Sequence, residues 1–212
     1  MNRLNNIISL NNDKIRYDES VKKLLSLKVM LAYILNNTLE EFKDHTIEET
    51  MKCIERVGIS ERNVDEDEMI KGINTESVSV SEGIRKFDIL FDLIIRADGR
   101  YEKIIVNIEA QNTSTSYSLL KRAQYYVSRM ISNQYGREFV KSDYDDIKKV
   151  ISIWLCMKNG CEEGKMDIYY SHHKNCQLMS HQYKDTEDFF TIVMVDIGKS
   201  DNPFINTLNI LF

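Results

Sequence analysis

The sequence predicts an α/β protein in which helices cover a mixed β-sheet. Residues 18–42 show helical periodicity, residues 87–95 and 103–110 are β-rich runs on either side of an Asp-Gly pair, and residues 150–157 form a β-branched apolar run. The predicted order is therefore helix, hairpin, helix, strand, strand. Such an order is typical of a sheet packed between helices.

Three segments with apolar side chains at spacings of three and four are predicted to be helices. The first begins at Asp18, a good N-cap residue. In the second, Thr46 and Glu49 have the capping-box spacing, and Gly58 can close the helix. The third has seven apolar residues along one stripe. The predicted helices span residues 18–42, 46–57 and 116–138.

Asp98 and Gly99 lie between two β-rich runs, and this is the strongest short-range signal for a hairpin. If these two residues form the loop, Ala97 pairs with Arg100, and the numbers of every paired position sum to 197. A later run of Val, Ile, Trp and Leu is too short and too β-branched for a helix, so it predicts a buried strand. The predicted strands span residues 87–95, 103–110, 150–157, 166–171 and 189–197.

The chain is expected to form one domain with short flanking segments. The Asn-rich residues 1–14 have no signal-peptide hydrophobic stretch and are expected to be a flexible N-terminus. Residues 15–200 are expected to form the domain, with an acidic loop insertion at residues 59–83 where alternating Ser and Val favour a short edge strand. The apolar residues 201–212 are expected to start the helix of a C-terminal region that is truncated.

Composition excludes several classes of protein. The 212-residue chain is 42% hydrophobic and 29% charged, so it can bury a core and is not disordered throughout. A single Pro and 8 Gly exclude collagen-like and linker-rich chains. No apolar run reaches the roughly 18 residues of a membrane span. Four Cys do not form a disulfide scaffold in a chain of this length, which favours the reduced cytoplasm.

The net charge of −5 would argue against a nucleic-acid partner if it were spread evenly along the chain. It is not, because residues 39–82 hold 13 of the 33 acidic side chains but only 5 of the 28 basic ones. The rest of the chain is therefore net positive. The overall charge does not exclude binding of DNA by that part.

The predicted hairpin register brings two acids together. Asp88 lies opposite Glu109, and the period of two puts both on one face with Gln111. Opposed Cβ atoms are about 4.5–5.5 Å apart, where two carboxylates either share a proton or hold a cation. A divalent ion is one interpretation, and an exposed polar face or a slipped register is the other. Asp92, which would pair with Ile105, is the second candidate ligand.

Several separated segments resemble one nuclease family. Between about residue 15 and residue 200 the chain resembles the PD-(D/E)XK nuclease family transposases, which are related to the recombination-promoting nucleases. The resemblance includes Asp88 and Glu109 on a strand-turn-strand unit followed by a helix rich in Lys, Arg and Tyr. The similar segments are residues 17–25, 108–111, 129–132, 144–150 and 152–157.

The resemblance implies a restriction-endonuclease-like core of order α-β-β-β-α-β, a Mg²⁺ site that can also take Mn²⁺, and hydrolysis of DNA phosphodiesters. It implies that Asp88, Glu109 and the backbone carbonyl of Ala110 hold the metal. Gln111 occupies the position of the motif lysine, and Glu19 matches an acid of the first helix that completes such sites. DNA is the expected partner, with no membrane and no small-molecule cofactor, and a homodimer is left open.

Gln111 is where the sequence departs from the family pattern. Glutamine can orient water or phosphate, but it cannot stabilise a developing anion as a charged lysine would. The first acid also lacks the preceding proline of the motif. These departures and the abrupt C-terminus keep a second hypothesis open. In it, the chain is a catalytically weakened remnant that binds DNA or another protein.

The third predicted helix offers the candidate DNA contacts. Lys121, Arg122 and Arg129 precede its first acid, and the last two lie on one face. They can contact DNA phosphates, although an ordinary solvated basic face is the alternative. A zinc site is a less favoured interpretation, because the spacings match no Cys-x2-Cys pattern. Its candidate ligands are Cys156, Cys161, His172, His173, Cys176 and His181.

Overall fold

The structure is an α/β fold in which helices flank a six-stranded mixed sheet, in agreement with the predicted class. This computed structural model describes residues 17, 19–59, 76–79, 83–86, 88–97, 100–157, 163–171 and 189–212. The strands are β1 (Ile54–Ile59), β2 (Glu76–Ser79), β3 (Gly83–Lys86), β4 (Ile89–Ala97), β5 (Arg100–Gln111), β6 (Lys149–Cys156), β7 (Lys165–Tyr170) and β8 (Phe190–Asp196). The helices are α1 (19–25), α2 (Lys28–Thr38), α3 (Ile47–Cys53), α4 (Leu119–Ser132) and α5 (Pro203–Leu211), and 3₁₀ turns span Glu40–Phe42 and Tyr144–Asp146.

The six strands are arranged in the order β1-β4-β5-β6-β8-β7, and β2 and β3 form a separate pair. β1, β4 and β5 are antiparallel neighbours, β5, β6 and β8 run parallel, and β7 is antiparallel to β8. A parallel pair requires a long crossover, and α4 provides it between β5 and β6. β5 therefore pairs with an antiparallel neighbour, β4, on one side and with a parallel neighbour, β6, on the other.

Two apolar cores lie on opposite faces of the sheet. One contains buried side chains of α1, α2 and α5, and the other contains the apolar stripe of α4 packed against Trp154 of β6. Because both faces are covered, β5 and β6 are almost continuous apolar runs, as the sequence suggested. The polar side chains of Asn107, Glu109 and Ser152 are buried within them.

The single helix predicted over residues 18–42 is wrong, because the chain breaks at Leu27. Leu27 has an extended backbone with φ −72° and ψ 125°, and α2 starts after it. The break changes which side chains face the sheet. Leu31 is fully buried, whereas Val29, which the periodicity put on the apolar stripe, is 49% exposed. Asp18, the predicted N-cap, lies outside the described residues.

The helix predicted over residues 46–57 is correct only at its start. The capping box is present, since Glu49 N donates to Thr46 Oγ1 at 3.2 Å and Thr46 N donates to Glu49 Oε2 at 2.8 Å. From Ile54 onward the chain is strand β1, which pairs antiparallel with β4. Pairing with the edge of β4 outweighs the local helical pattern, and β-branched residues suit a strand.

The hairpin register predicted around Asp98 and Gly99 is confirmed, although these two residues lie outside the described part of the chain. Every β4–β5 pair has residue numbers that sum to 197. The three later strands are confirmed as β6, β7 and β8, with ends that differ by one residue from the prediction. The third helix, predicted over residues 116–138, is confirmed over Leu119–Ser132, after which Gly136 adopts φ 78°.

Parts of the predicted domain organisation lie outside the described residues. Residues 1–14 are among them, and only short pieces of the acidic insertion at residues 59–83 are described. Two of those pieces pair as β2 and β3, so a short strand lies near its predicted position and has a partner. Within residues 201–212, Phe204 and Leu208 of α5 are buried in the same core as α2. Among the described residues, no helix has the length and apolar character that a membrane crossing requires.

Candidate active site

Asp88 and Glu109 lie side by side where β4 begins and β5 ends. The backbone N–H of Asp88 donates to Glu109 Oε1 at 3.1 Å, and the N–H of Ala110 donates to Asp88 Oδ2 at 3.1 Å. The last residue pair of the β4–β5 ladder is Ile89 opposite Ile108, and Asp88 and Glu109 are the next residues along each strand. Each carboxylate is therefore fixed by backbone beside the other one.

Glu109 is a buried acid, with 4% of its surface exposed. Burial, followed by the negative charge of Asp88, raises the pKa of Glu109 to about 8. The backbone hydrogen bond from Asp88, the charge of Arg122 and a hydrogen bond from Asn107 act in the opposite direction. Near neutral pH the Glu109 carboxyl is therefore protonated. A cation that binds there has to displace that proton.

Lys22, which the sequence reasoning did not select, lies at the acid pair. Its Nζ is 3.2 Å from Asp88 Oδ1, and the two side chains are 21% and 20% exposed. Glu19, the acid expected to complete the site, lies exposed on the same helix. The sequence gives no signal for this contact, because Lys22 and Lys23 both interrupt the apolar stripe and only the packing of α1 on the sheet distinguishes them.

Gln111 is fixed at both ends of its side-chain amide. Its Nε2 donates to the backbone oxygen and to Oγ1 of Thr113 at 2.6 and 3.0 Å, and its Oε1 accepts from Arg122 Nη1 at 3.3 Å. The amide nitrogen is therefore held by the loop after β5, and the amide oxygen faces the guanidinium group of Arg122. Gln111 contributes a rigid polar wall without a charge.

Asp88, Lys22 and Gln111 line one cavity of about 190 Å³. This volume is large enough for a hydrated ion or a phosphate group. The remaining walls are Val21, Ala110, Asn112, Thr113 and Met157.

Arg122 lies between this acid cavity and a second, aromatic cavity. Its guanidinium is 5.1 Å from the ring centre of Tyr126 and 5.2 Å from that of Trp154, and its Nη2 donates to Tyr126 Oη at 3.0 Å. A guanidinium stacked in this way is held firmly. The aromatic cavity has a volume of about 540 Å³ and is lined by Tyr117, Ser118, Lys121, Arg122, Tyr125 and Tyr126.

The three predicted DNA contacts differ in exposure. Lys121 is exposed and Arg122 is partly buried, so both can meet a ligand at the surface of α4. Arg129 is only 8% exposed, because it lies on the side of α4 that also buries Tyr126 and Met130. A buried guanidinium cannot reach a phosphate, so we leave Arg129 out of the contact surface.

The acid pair and one backbone oxygen can hold a hard cation. In an extended strand the N–H and C=O of a residue point to the same side, so the Ala110 carbonyl faces Asp88 as its N–H does. Among the described residues, no three or more His, Cys, Asp or Glu side chains form a group that could hold a metal. Mg²⁺ needs only one or two carboxylates because it keeps several waters. The donors Asp88, Glu109 and Ala110 therefore fit magnesium.

Asp92 and Cys156, the other candidate metal ligands within the described residues, have structural roles. Asp92 lies opposite Ile105, as predicted, and its Oδ2 is 3.1 Å from Lys103 Nζ. The same Nζ is 2.5 Å from Glu138 Oε1, so Asp92 belongs to a partly buried ion-pair network. Cys156 is 1% exposed within β6, where a thiol behaves as a small apolar side chain. The other zinc candidates lie outside the described residues.

Comparisons with known proteins identify no relative of this chain. No protein-family model, no curated protein sequence and no solved structure matches it. A proposal of function therefore depends on the acid pair itself, on the cavity in front of it and on the charged side chains around it.

Proposed function

We propose that this protein is a Mg²⁺-dependent DNA endonuclease of the transposase or recombination-promoting type, built on a PD-(D/E)XK core. The observation that carries the proposal is the contact between Asp88 and Glu109 beside a small polar cavity. Two carboxylates this close destabilise a fold unless a proton or a cation neutralises them. Even with a proton on Glu109 and Lys22 beside Asp88, a buried acid pair adds less to stability than an apolar pair would, and this favours a functional role.

The order of the elements supports the proposed fold. When α1, α3 and the separate pair β2–β3 are set aside, α2 precedes three antiparallel strands, β1, β4 and β5, and α4 then crosses to β6, which runs parallel to β5. This is the order α-β-β-β-α-β that the resemblance implies. The two acids lie next to the second and on the third of these strands. β1, which the sequence pattern did not predict, completes the set of three.

The residues around the acid pair suit phosphodiester hydrolysis. A bound Mg²⁺ would polarise the phosphate and lower the pKa of the attacking water. Asp88, Glu109 and the Ala110 carbonyl would hold that ion. Gln111, whose amide is fixed by its neighbours, would orient a water or a phosphate oxygen by hydrogen bonding. Arg122 would contact a phosphate beside the reacting one.

Cleavage of supercoiled plasmid tests this function. We expect the wild type to nick or linearise plasmid in Mg²⁺ or Mn²⁺ but not in EDTA. Asp88→Asn and Glu109→Gln should lower the rate by about 1,000-fold, since each replaces a charged donor by a weaker neutral one at an ion that stabilises transition-state charge by several kcal/mol. Glu102→Gln removes an exposed carboxylate from β5, the strand that carries Glu109, and is the matched control. Equal cleavage by all variants would contradict the assignment.

A different outcome would favour the weakened remnant. In that case the wild type would bind DNA without cleaving it, and calorimetric titration would detect no Mg²⁺ binding. The observation behind this alternative is Gln111, because its amide brings no positive charge to the place of the motif lysine. Metal titration of the wild type therefore separates an enzyme from a binding module.

Lys121→Met is expected to weaken DNA binding without changing Mg²⁺ binding. Lys121 is exposed on α4 beside Arg122. Each phosphate contact adds about 0.9 to the slope of log K against log salt concentration, so the slope should fall by about that amount. Fluorescence anisotropy of labelled DNA over a salt series measures it. Lys52→Met, on α3 in the opposite helical layer, is the control, and an unchanged slope for Lys121→Met would exclude the contact.

A further inference from the structure

We propose that Lys22 is a catalytic residue that supplies the positive charge Gln111 cannot: its ammonium group contacts the phosphate under attack and stabilises the charge that develops there in the transition state. The proposal rests on the nuclease function proposed above and adds a residue to that site. Lys22 comes from α1, whereas the acid pair comes from the hairpin, so the packing of the helix on the sheet brings them together.

Lys22 provides the positive charge of the acid cavity. Its Nζ lies 3.2 Å from Asp88 Oδ1. Of the described residues that line this cavity, Lys22 is the one with a cationic side chain. The cavity has a volume of about 190 Å³, so a phosphate oxygen inside it would lie within a few ångströms of Nζ. The ammonium group is therefore close to both the metal donors and the expected position of the substrate.

The core fixes the direction of the Lys22 side chain. Val21 is 6% exposed and Leu25 is fully buried, and both belong to the core beneath the sheet. α1 cannot rotate without exposing them, so the stem of Lys22 has to leave the helix toward the cavity. The four-carbon stem of a lysine is flexible. Its ammonium group can therefore move from Asp88 to a phosphate oxygen without a change of the backbone.

Arg122, the other cation near the acids, is held by other groups. It donates to Tyr126 Oη and Gln111 Oε1 and stacks on Trp154. It lines the aromatic cavity on the α4 side rather than the acid cavity. Arg122 is therefore suited to orient Gln111 and to contact a neighbouring phosphate, whereas Lys22 faces the reacting one.

The proposed reaction leaves Lys22 chemically unchanged. The oxygen of one water forms a bond to phosphorus, and the P–O ester bond of the strand breaks. One proton of that water is transferred through solvent to the leaving oxygen. Lys22 keeps its protons throughout and acts through its charge, once its ammonium group has moved to the developing negative oxygen.

A merely structural role for Lys22 makes a different prediction. If Lys22 only neutralises Asp88, its removal should strengthen Mg²⁺ binding, because a competing cation has gone, and should leave turnover unchanged. If Lys22 also contacts the phosphate, turnover should fall although Mg²⁺ still binds. Turnover and metal affinity measured on the same variants therefore separate the two roles.

Lys22→Met is expected to lower kcat for plasmid cleavage by about 100-fold with little change in KM, the usual effect of removing one donor to a developing oxyanion. Calorimetric titration should find Mg²⁺ bound at least as tightly as by the wild type. Lys22→Arg keeps the charge, and its kcat should be about tenfold higher than that of Lys22→Met. Lys23→Met removes the neighbouring exposed lysine and should behave as the wild type.

A kcat for Lys22→Met within about threefold of the wild type would overturn this role. The nuclease function would stand in that case, provided that Asp88→Asn and Glu109→Gln are inactive. An inactive wild type would instead refute the nuclease function and this role together. A fall in Tm of more than about 5 °C in both Lys22→Met and Lys22→Gln would assign the residue to folding and would also overturn the proposal.

Discussion

Glu109→Gln is expected to weaken Mg²⁺ binding strongly while it raises the free energy of unfolding in alkaline solution. Burial and the charge of Asp88 raise the pKa of the Glu109 carboxyl to about 8. A glutamine amide has nearly the same shape but no charge and no proton to release. The substitution therefore replaces a charged metal donor by a weaker neutral one and, at the same time, removes a group that is costly to ionise inside the protein.

The direction of the stability change follows from the protons bound in each state. In the unfolded chain Glu109 loses its proton near its ordinary pKa of 4.5, whereas in the folded chain it keeps the proton up to about 8. Between these values the folded state binds more protons, so the stability of the wild type falls as pH rises. This contribution changes by about 1.4 kcal/mol per pH unit, and Glu109→Gln lacks it.

Urea unfolding of both proteins measures this difference. The advantage of Glu109→Gln over the wild type should be small near about pH 5 and should grow by a few kcal/mol up to about pH 9. Glu102→Gln replaces an exposed carboxylate and should follow the wild type at every pH. If Glu109→Gln and the wild type differ in free energy of unfolding by the same amount at both ends of this pH range, the pKa of Glu109 is not raised.

The same proton should control metal binding by the wild type. Mg²⁺ has to displace it from Glu109, so the association constant should rise about tenfold per pH unit until about pH 8 and then level off. Calorimetry in buffers of different ionisation enthalpy would detect the released proton directly. An affinity for Mg²⁺ that does not change below that pH would mean that Glu109 is already ionised.

The acid pair could be predicted because the hairpin register depends on local chemistry. Once Asp98 and Gly99 are taken as the loop, a two-residue turn and the period of two determine which side chains meet. Asp88 and Glu109 are in contact as that register requires, through the N–H of Asp88. The face they share could be predicted for the same reason.

β1 and Lys22 could not be predicted because they depend on contacts between distant segments. The segment Ile54–Ile59 continues a helical pattern in the sequence, but it is a strand because it pairs with the edge of β4. Lys22 reaches Asp88 through the packing of α1, and periodicity does not specify where a helix sits on a sheet. The family resemblance implies Glu19, and not Lys22, as the contribution of the first helix.

Lys103→Met is expected to destabilise the fold by about 3 kcal/mol while the folded protein keeps its Mg²⁺ binding. Lys103 Nζ lies between Asp92 Oδ2 at 3.1 Å and Glu138 Oε1 at 2.5 Å. Burial opposes the charged form of Lys103, but the hydrogen bond to Glu138 and the charge of Asp92 outweigh it and raise its pKa. Asp92 is 6% exposed, so removal of the ammonium group leaves a buried carboxylate without this counter-charge.

A double variant separates the structural acid from the proposed metal ligand. Asp88 and Asp92 are four residues apart and lie on the same face of the hairpin, but Asp92 contacts Lys103 of the adjacent strand whereas Asp88 borders the cavity. Lys103→Met combined with Asp92→Leu replaces an ion pair by an apolar pair, which should restore most of the lost stability. Urea unfolding and calorimetry on one preparation measure both properties. If the double variant folds but no longer binds Mg²⁺, Asp92 is a ligand and the metal lies deeper in the hairpin than Asp88 and Glu109 suggest.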